Sequence, residues 1–100
     1  MGNSPEDIRK WEQQAQAGDL DAKHLLALAL RAGDGVAMDK DRGFDLLMEA
    51  SDQGHMHAPA SIGVAYYFGD GVPKSHQLAM KWYQAGAAAG SDYAIFNIAD

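Results

Sequence analysis

Cysteine is absent from this sequence. That excludes a disulfide framework, a thiolate zinc site and a cysteine nucleophile, although it does not fix a compartment. Basic residues are also scarce, with 8 Lys and Arg against 14 Asp and Glu and a net charge of −6. Phosphate contacts need clustered Lys and Arg, so nucleic acid is not an expected partner. Long apolar runs are missing too: none approaches the roughly 18 residues of a membrane span. The start, Met1-Gly2-Asn3-Ser4-Pro5-Glu6, is neither basic nor apolar and does not read as a signal peptide. Cytoplasm and periplasm both remain open. Glu6 stands where a myristoylation signal requires Ser or Thr. What is present is a 47% apolar composition over 100 residues, which suits one small folded domain.

A repeat organises that domain. Gly33-Asp34-Gly35-Val36 returns 36 residues later as Gly69-Asp70-Gly71-Val72. The same shift carries Ala22 to Ala58 and Ala94, Gly18 to Gly54 and Gly90, and Leu26 to Ile62 and Ile98. A period in the thirties is the mark of a helical hairpin that stacks into a solenoid. The phase predicts a half repeat over 3–18, full repeats over 22–57 and 58–93, and the start of another at 94–100.

Each copy reads as two helices. The first runs from about Ala22 to Ala32, with Leu26, Ala29 and Leu30 on the packed side. Gly33 and Gly35 open the turn that follows. The second runs from near Asp39 to Gly54. Asn3, Asp39 and Ser75 fall 36 apart at the helix starts, and each can accept hydrogen bonds from free backbone N–H groups. Before Pro5, Ser4 could equally cap the first of them. Gly63 and its mate Ala27 predict a close helix crossing, since glycine inside a helix costs about 1 kcal/mol relative to alanine. Trp11, Leu47 and Tyr83 are in register and are expected in the core, with Leu46 and Trp82 beside them.

Together these residues resemble the Sel-one-like repeat family, a relative of the tetratricopeptide repeat. The second copy carries the resemblance best, through Ala58, Ile62, Gly63, Tyr66, Gly69, Gly71, Val72, Ala79, Trp82, Tyr83, Ala87 and Gly90. The first copy departs, with Ala27 for Gly, Leu30 for Tyr, Gly43 for Ala and Leu46-Leu47 for Trp-Tyr. The resemblance implies an all-α fold: antiparallel helix-turn-helix repeats in a right-handed superhelical solenoid of about five to six helices. It makes Ala22, Gly33, Gly35, Gly54, Ala58, Gly63, Gly69, Gly71, Trp82, Tyr83 and Gly90 structural residues. It implies a scaffold of the kind common in bacterial adaptors, binding another protein or peptide without a cofactor. The family's cysteine-rich secreted branch is excluded by the missing cysteines.

The chemistry otherwise suggested is weak. His55 and His57 flank one residue in the turn between repeats, but zinc needs three or four ligands. His24 and His76 lie too far along the repeat to be obvious partners, and His55 takes the helix-start position of Asp19 and Ser91. The acids from Asp39 to Asp45 do not fit a calcium loop, whose glycine and bidentate glutamate are out of place. The paired glycines lack the strand and Gly-Lys-Ser/Thr of a phosphate loop. No Gly-x-Ser-x-Gly elbow is present, and no acid, base and nucleophile assemble. An enzyme is therefore not expected, and neither is a metal.

A partner is expected in the concave face, lined by first helices. Positions the repeat leaves free there include Lys23, Leu25, Leu28 and Arg31, then Ser61, Val64, Tyr67 and Phe68. Tyr67 and Phe68 offer either an aromatic anchor or a face for the next repeat. The acidic balance favours a basic partner region, although several acids are explained as helix-start residues. The leading reading is a non-catalytic adaptor. The alternatives are an immunity protein that neutralises a specific toxin or enzyme and, less favoured, a hydrolase acting on cell-wall or small substrates. The apolar end around Tyr93–Ile98 lacks a partner helix. It is expected to be covered by further chain or by a second copy, giving a homo-oligomer through 91–100.

Overall fold

Five helices account for nearly all of the regular structure in the computed structural model, which describes residues 2–91. They are α1 (Pro5–Gln16), α2 (Leu20–Ala32), α3 (Lys40–Asp52), α4 (Ala58–Phe68) and α5 (His76–Ala88). There is no strand among the described residues. Consecutive helices pack in order, α1 on α2, α2 on α3, α3 on α4 and α4 on α5. The result is an elongated stack of 37 × 23 × 23 Å, an all-α helical repeat solenoid. The expectations placed on 92–100, including self-association through that end, lie outside the described residues.

The 36-residue shift governs backbone geometry as well as sequence. Gly33 and Gly69 end the first helices with φ of 67° and 66°, a left-handed conformation that costs a residue with a Cβ. The chain then turns so that Asp39 N–H donates to Leu30 O and Ser75 N–H donates to Tyr66 O. Between repeats, Asp19 N–H donates to Gln14 O, His55 N–H to Ala50 O and Ser91 N–H to Gly86 O. Identical bonds at identical spacing mean that each hairpin hands the chain to the next in the same direction.

The core is continuous rather than central. Ile8 of α1 packs with Leu26, Ala29 and Leu30 of α2, flanked by Trp11, Val36 and Leu46. Ala27, Leu47 and Ile62 form a second cluster with Phe44, Leu46, Tyr66 and Trp82 around it. Leu46 touches both, so apolar burial runs through the stack without a break, as repeat proteins require. Tyr83 is buried as the register predicts, while Trp11 and Trp82 are half-buried at its edge.

One cap falls outside the register. The structure caps α3 with Asp39 and α5 with Ser75, but α1 with Ser4 instead of Asn3. Pro5 fixes the first helical residue, so the cap moves up to its neighbour. Ser4 and Asp7 then form a reciprocal capping box. Asn3 instead uses its backbone N–H to bind Asp34 Oδ1 at 2.8 Å, tying α1 to the next turn. Ser4→Ala should therefore lower stability by about 1 kcal/mol in urea titration, with a smaller loss for Asn3→Ala. Equal losses would contradict this assignment.

Candidate functional site

The first helices α2 and α4 lie side by side and form one face. Leu28 and Arg31 from α2, with Ser61 and Val64 from α4, line a groove of about 270 Å³ between them. Leu28 and Val64 are equivalent under the repeat, so the groove has an aliphatic wall from each hairpin. Leu25 and Leu28 are each 41% exposed. Further along α4, Tyr66 turns inward against Phe44 with ring centroids 5.8 Å apart. Its two neighbours turn outward: Tyr67 is 43% exposed and Phe68 68%. Successive helical residues point about 100° apart, so a run of three aromatics must split this way. Tyr67 stacks on His76 at 4.8 Å and meets Phe68 edge-on at 5.0 Å. Those contacts set the three rings against one another on the surface.

Charge is distributed unevenly. The helices α1 and α3 carry seven of the fourteen acidic residues, whereas α2 and α4 together carry one acid, Asp21, and two bases, Lys23 and Arg31. The basic partner suggested by net charge thus finds little to bind on the first-helix face, which is apolar and close to neutral.

Of the seven residues expected at a partner face, Leu28, Ser61 and Val64 border the groove, and Tyr67 and Phe68 are exposed further along α4. Lys23 points elsewhere, its Nζ donating to Gln53 Oε1 at 2.9 Å beside a second cavity bordered by α1, α2 and α3. Arg31 reaches the groove with only a tenth of its side chain exposed. Its Nη2 crosses to the next repeat, donating to Asp70 O at 2.7 Å and lying 3.3 Å from Asp70 Oδ2.

A histidine cluster sits at one end of the groove, and here the sequence reading needs correction. His24 was expected to lie too far along the repeat to meet His55. Its ring stacks on that of His55 at 4.6 Å, and His57 stands 5.9 Å from His55. The start of α4 lies beside the start of α2, so a turn residue at 55 reaches positions 21–24. The register places His55 at the head of α4, because it shares the capping position of Asp19, but it does not place that head against α2. His55 Nδ1 accepts N–H bonds from His57 and Ala58, at 3.2 and 3.1 Å, as Asp19 Oδ1 accepts from Ala22. His55 Nε2 lies 2.9 Å from Asp21 Oδ1, and His24 Nε2 lies 2.9 Å from Ser61 Oγ. Burial first, and then the rings of His55 and His57, push His24 down to about 4 from its ordinary 6.5, with Asp21 opposing. His76 stays apart, on Tyr67.

The Ser61–His24 contact has the reach of a nucleophile and base, but not the supports. The carboxylate that would orient the imidazole bonds His55 instead. A ring titrating near 4 is a weak base at neutral pH. The N–H groups of His57 and Ala58, at the start of α4, already point at His55 Nδ1 rather than at a substrate oxygen. Among the described residues no three His, Asp or Glu side chains are placed to hold a metal ion. No helix there is long and apolar enough to cross a membrane.

Comparison with known proteins is consistent across sequence and structure. The model of the Sel1 repeat matches residues 20–55 and 58–91. A component of an ERAD-associated E3 ubiquitin-protein ligase from Arabidopsis thaliana, HRD3B, is 36% identical over 67 residues, covering 64% of this chain and 11% of that protein. The crystal structure of a Sel1 repeat protein from Oxalobacter formigenes superposes with a TM-score of 0.87 at 28% identity, covering 96% of this chain and 39% of the other. A protective antigen of uropathogenic Escherichia coli displaying an SLR fold gives 0.79 at 29% identity, over 87% of this chain and 19% of that one. The chain therefore spans about a tenth of the plant protein and well under half of either solved chain.

Proposed function

The chain belongs to the Sel1 repeat family, whose repeats mediate protein–protein interaction, and from that premise we propose that it is a non-catalytic interaction module. Its partner is a protein segment that presents apolar side chains to the first-helix face. Leu28, Ser61 and Val64 form the groove, and Tyr67 and Phe68 form the anchor beside it. The observation that carries this reading is the pairing of exposed apolar surface with few charged side chains. Exposed leucines and ordered aromatics recur along α2 and α4, while the acids gather on other helices. Aromatic anchors beside an aliphatic slot are the arrangement of interface hot spots.

The test is retention of a partner from lysate by immobilised protein. Leu28→Asp and Phe68→Ala should each reduce retention at least about tenfold, the effect of losing a hot-spot contact. Both side chains are exposed, so circular dichroism and urea midpoints should stay near those of the parent. Asp45→Lys, on the exposed side of α3, should leave retention intact. Loss with Asp45→Lys but not with the other two would place the partner on another face.

A further inference from the structure

The histidine cluster joins the two hairpins, and its hydrogen bonds specify a protonation state. His55 Nδ1 accepts from two backbone N–H groups, so it carries no proton. The neutral ring then bears its hydrogen on Nε2 and donates to Asp21 Oδ1. Adding a proton means placing N–H against N–H at Nδ1. The ring must leave the cap, and the start of α4 loses its acceptor. His24, stacked on that ring and bonded to Ser61 of α4, spans the same junction from the α2 side. The charged and titratable groups facing the two rings are Asp21 of α2 and His57 at the head of α4. Lys23 is turned away to Gln53. The Asp21 side chain is 88% exposed, whereas that of His55 is 6% exposed, so the compensating charge sits in water and the ring does not.

We propose that His24 and His55 form a proton-operated joint between the hairpins, closed while both rings are neutral and released when they take up protons. The α2 and α4 helices are the two walls of the groove, so release changes the separation of Leu28 from Val64. That consequence for a partner rests on the binding role proposed above; the joint itself does not.

Linkage sets the direction. His24 titrates at about 4 when seated and at 6.5 when free, so the open form binds more protons between those values. The stabilisation is complete above 6.5 and is lost as the pH falls toward 4. Between pH 7 and pH 5 that difference multiplies the open population about twentyfold, and solvent screening of the half-buried ring reduces this to about tenfold.

Amide hydrogen exchange on the free protein reads it directly. Protection of the His57 and Ala58 amides should fall about tenfold from pH 7 to pH 5. Protection at Leu78, capped by the Ser75 hydroxyl, should change less than about twofold. His55→Ser places at the capping position the residue found at Ser91, so the cap survives without a titrating ring. Combined with His24→Gln, it should abolish the pH effect. Nitrogen-15 shifts should show His55 protonated on Nε2 alone at pH 7. The proposal is overturned if Leu78 loses as much protection as Ala58, if the double variant keeps the effect, or if Nδ1 carries the proton. These readouts need no partner, so failure of the binding role would leave them unchanged.

Discussion

Gly63→Ala is expected to destabilise the protein by about 2 kcal/mol, although alanine in place of glycine within a helix normally stabilises by about 1 kcal/mol. A Cβ placed on Gly63 would lie 2.6 Å from Cδ1 and 2.7 Å from Cε1 of Tyr83, and 3.1 Å from Ala79 O. Tyr83 is 3% exposed and has no free side to move into. The first hairpin shows how the conflict is otherwise avoided. There Ala27 occupies the glycine position and Leu47 replaces the tyrosine, both fully buried. Alanine thus tolerates leucine opposite, and the ring of tyrosine requires glycine. The second helices show the converse. Gly43 stands where the second hairpin has Ala79, and a Cβ on Gly43 would lie 2.9 Å from Ala27 O and 2.5 Å from Arg31 Cγ. Each crossing therefore holds one alanine and one glycine, on opposite helices. In a Tyr83→Leu background, Gly63→Ala should become neutral or mildly stabilising, with a coupling of about 2 kcal/mol in a urea double-mutant cycle. A stabilising Gly63→Ala in the parent would show that the crossing is looser than these distances.

That crossing also marks how far the sequence could be read. The shift of 36 was enough to place the turns, the buried alanines and the closeness of helices at Gly63, because each is a demand the repeat makes on every copy. It could not say which helix of a crossing carries the glycine, since that depends on the residue opposite. Arg31 is hidden for the same reason. Its equivalent in the second copy is Tyr67, and a position holding arginine in one copy and tyrosine in the other reads as free to vary. Only the packed structure shows Arg31 lying across Gly43 and reaching the next hairpin. The histidines escape by a different route. His24 and His55 are not equivalent under the shift, and they meet because the head of one first helix lies against the head of the next. Contacts within a repeat follow from the period, whereas contacts across the junction need the way the hairpins lie on each other.

Arg31→Met should lower stability by about 2 kcal/mol, more than any exposed ion pair would account for. The guanidinium holds a backbone carbonyl, Asp70 O, at 2.7 Å, and the Asp70 carboxylate is shared with Lys40 of α3. Three elements meet there: the end of α2, the start of α3 and the turn after α4. Methionine keeps the stem over Gly43 but removes the only part that crosses the junction, leaving Asp70 O without that donor. One gain offsets the loss, because Arg31 Nη1 is buried with no hydrogen-bond partner among protein groups, and its removal relieves that desolvation. Asp70→Ala separates the two halves of the clamp. It deletes the carboxylate, 43% exposed, and spares the carbonyl, so its cost should stay below about 1 kcal/mol and shrink in high salt. The Arg31→Met loss should persist in high salt, because its larger part is a short bond to a neutral acceptor. Arg31→Lys should resemble methionine more than arginine: an ammonium on a shorter stem cannot reach the carbonyl and carboxylate together as the planar fork does. If urea titration finds Arg31→Met within about 0.5 kcal/mol of the parent, the hairpins are held by their other contacts, and the crossing of Arg31 to Asp70 is incidental to their order.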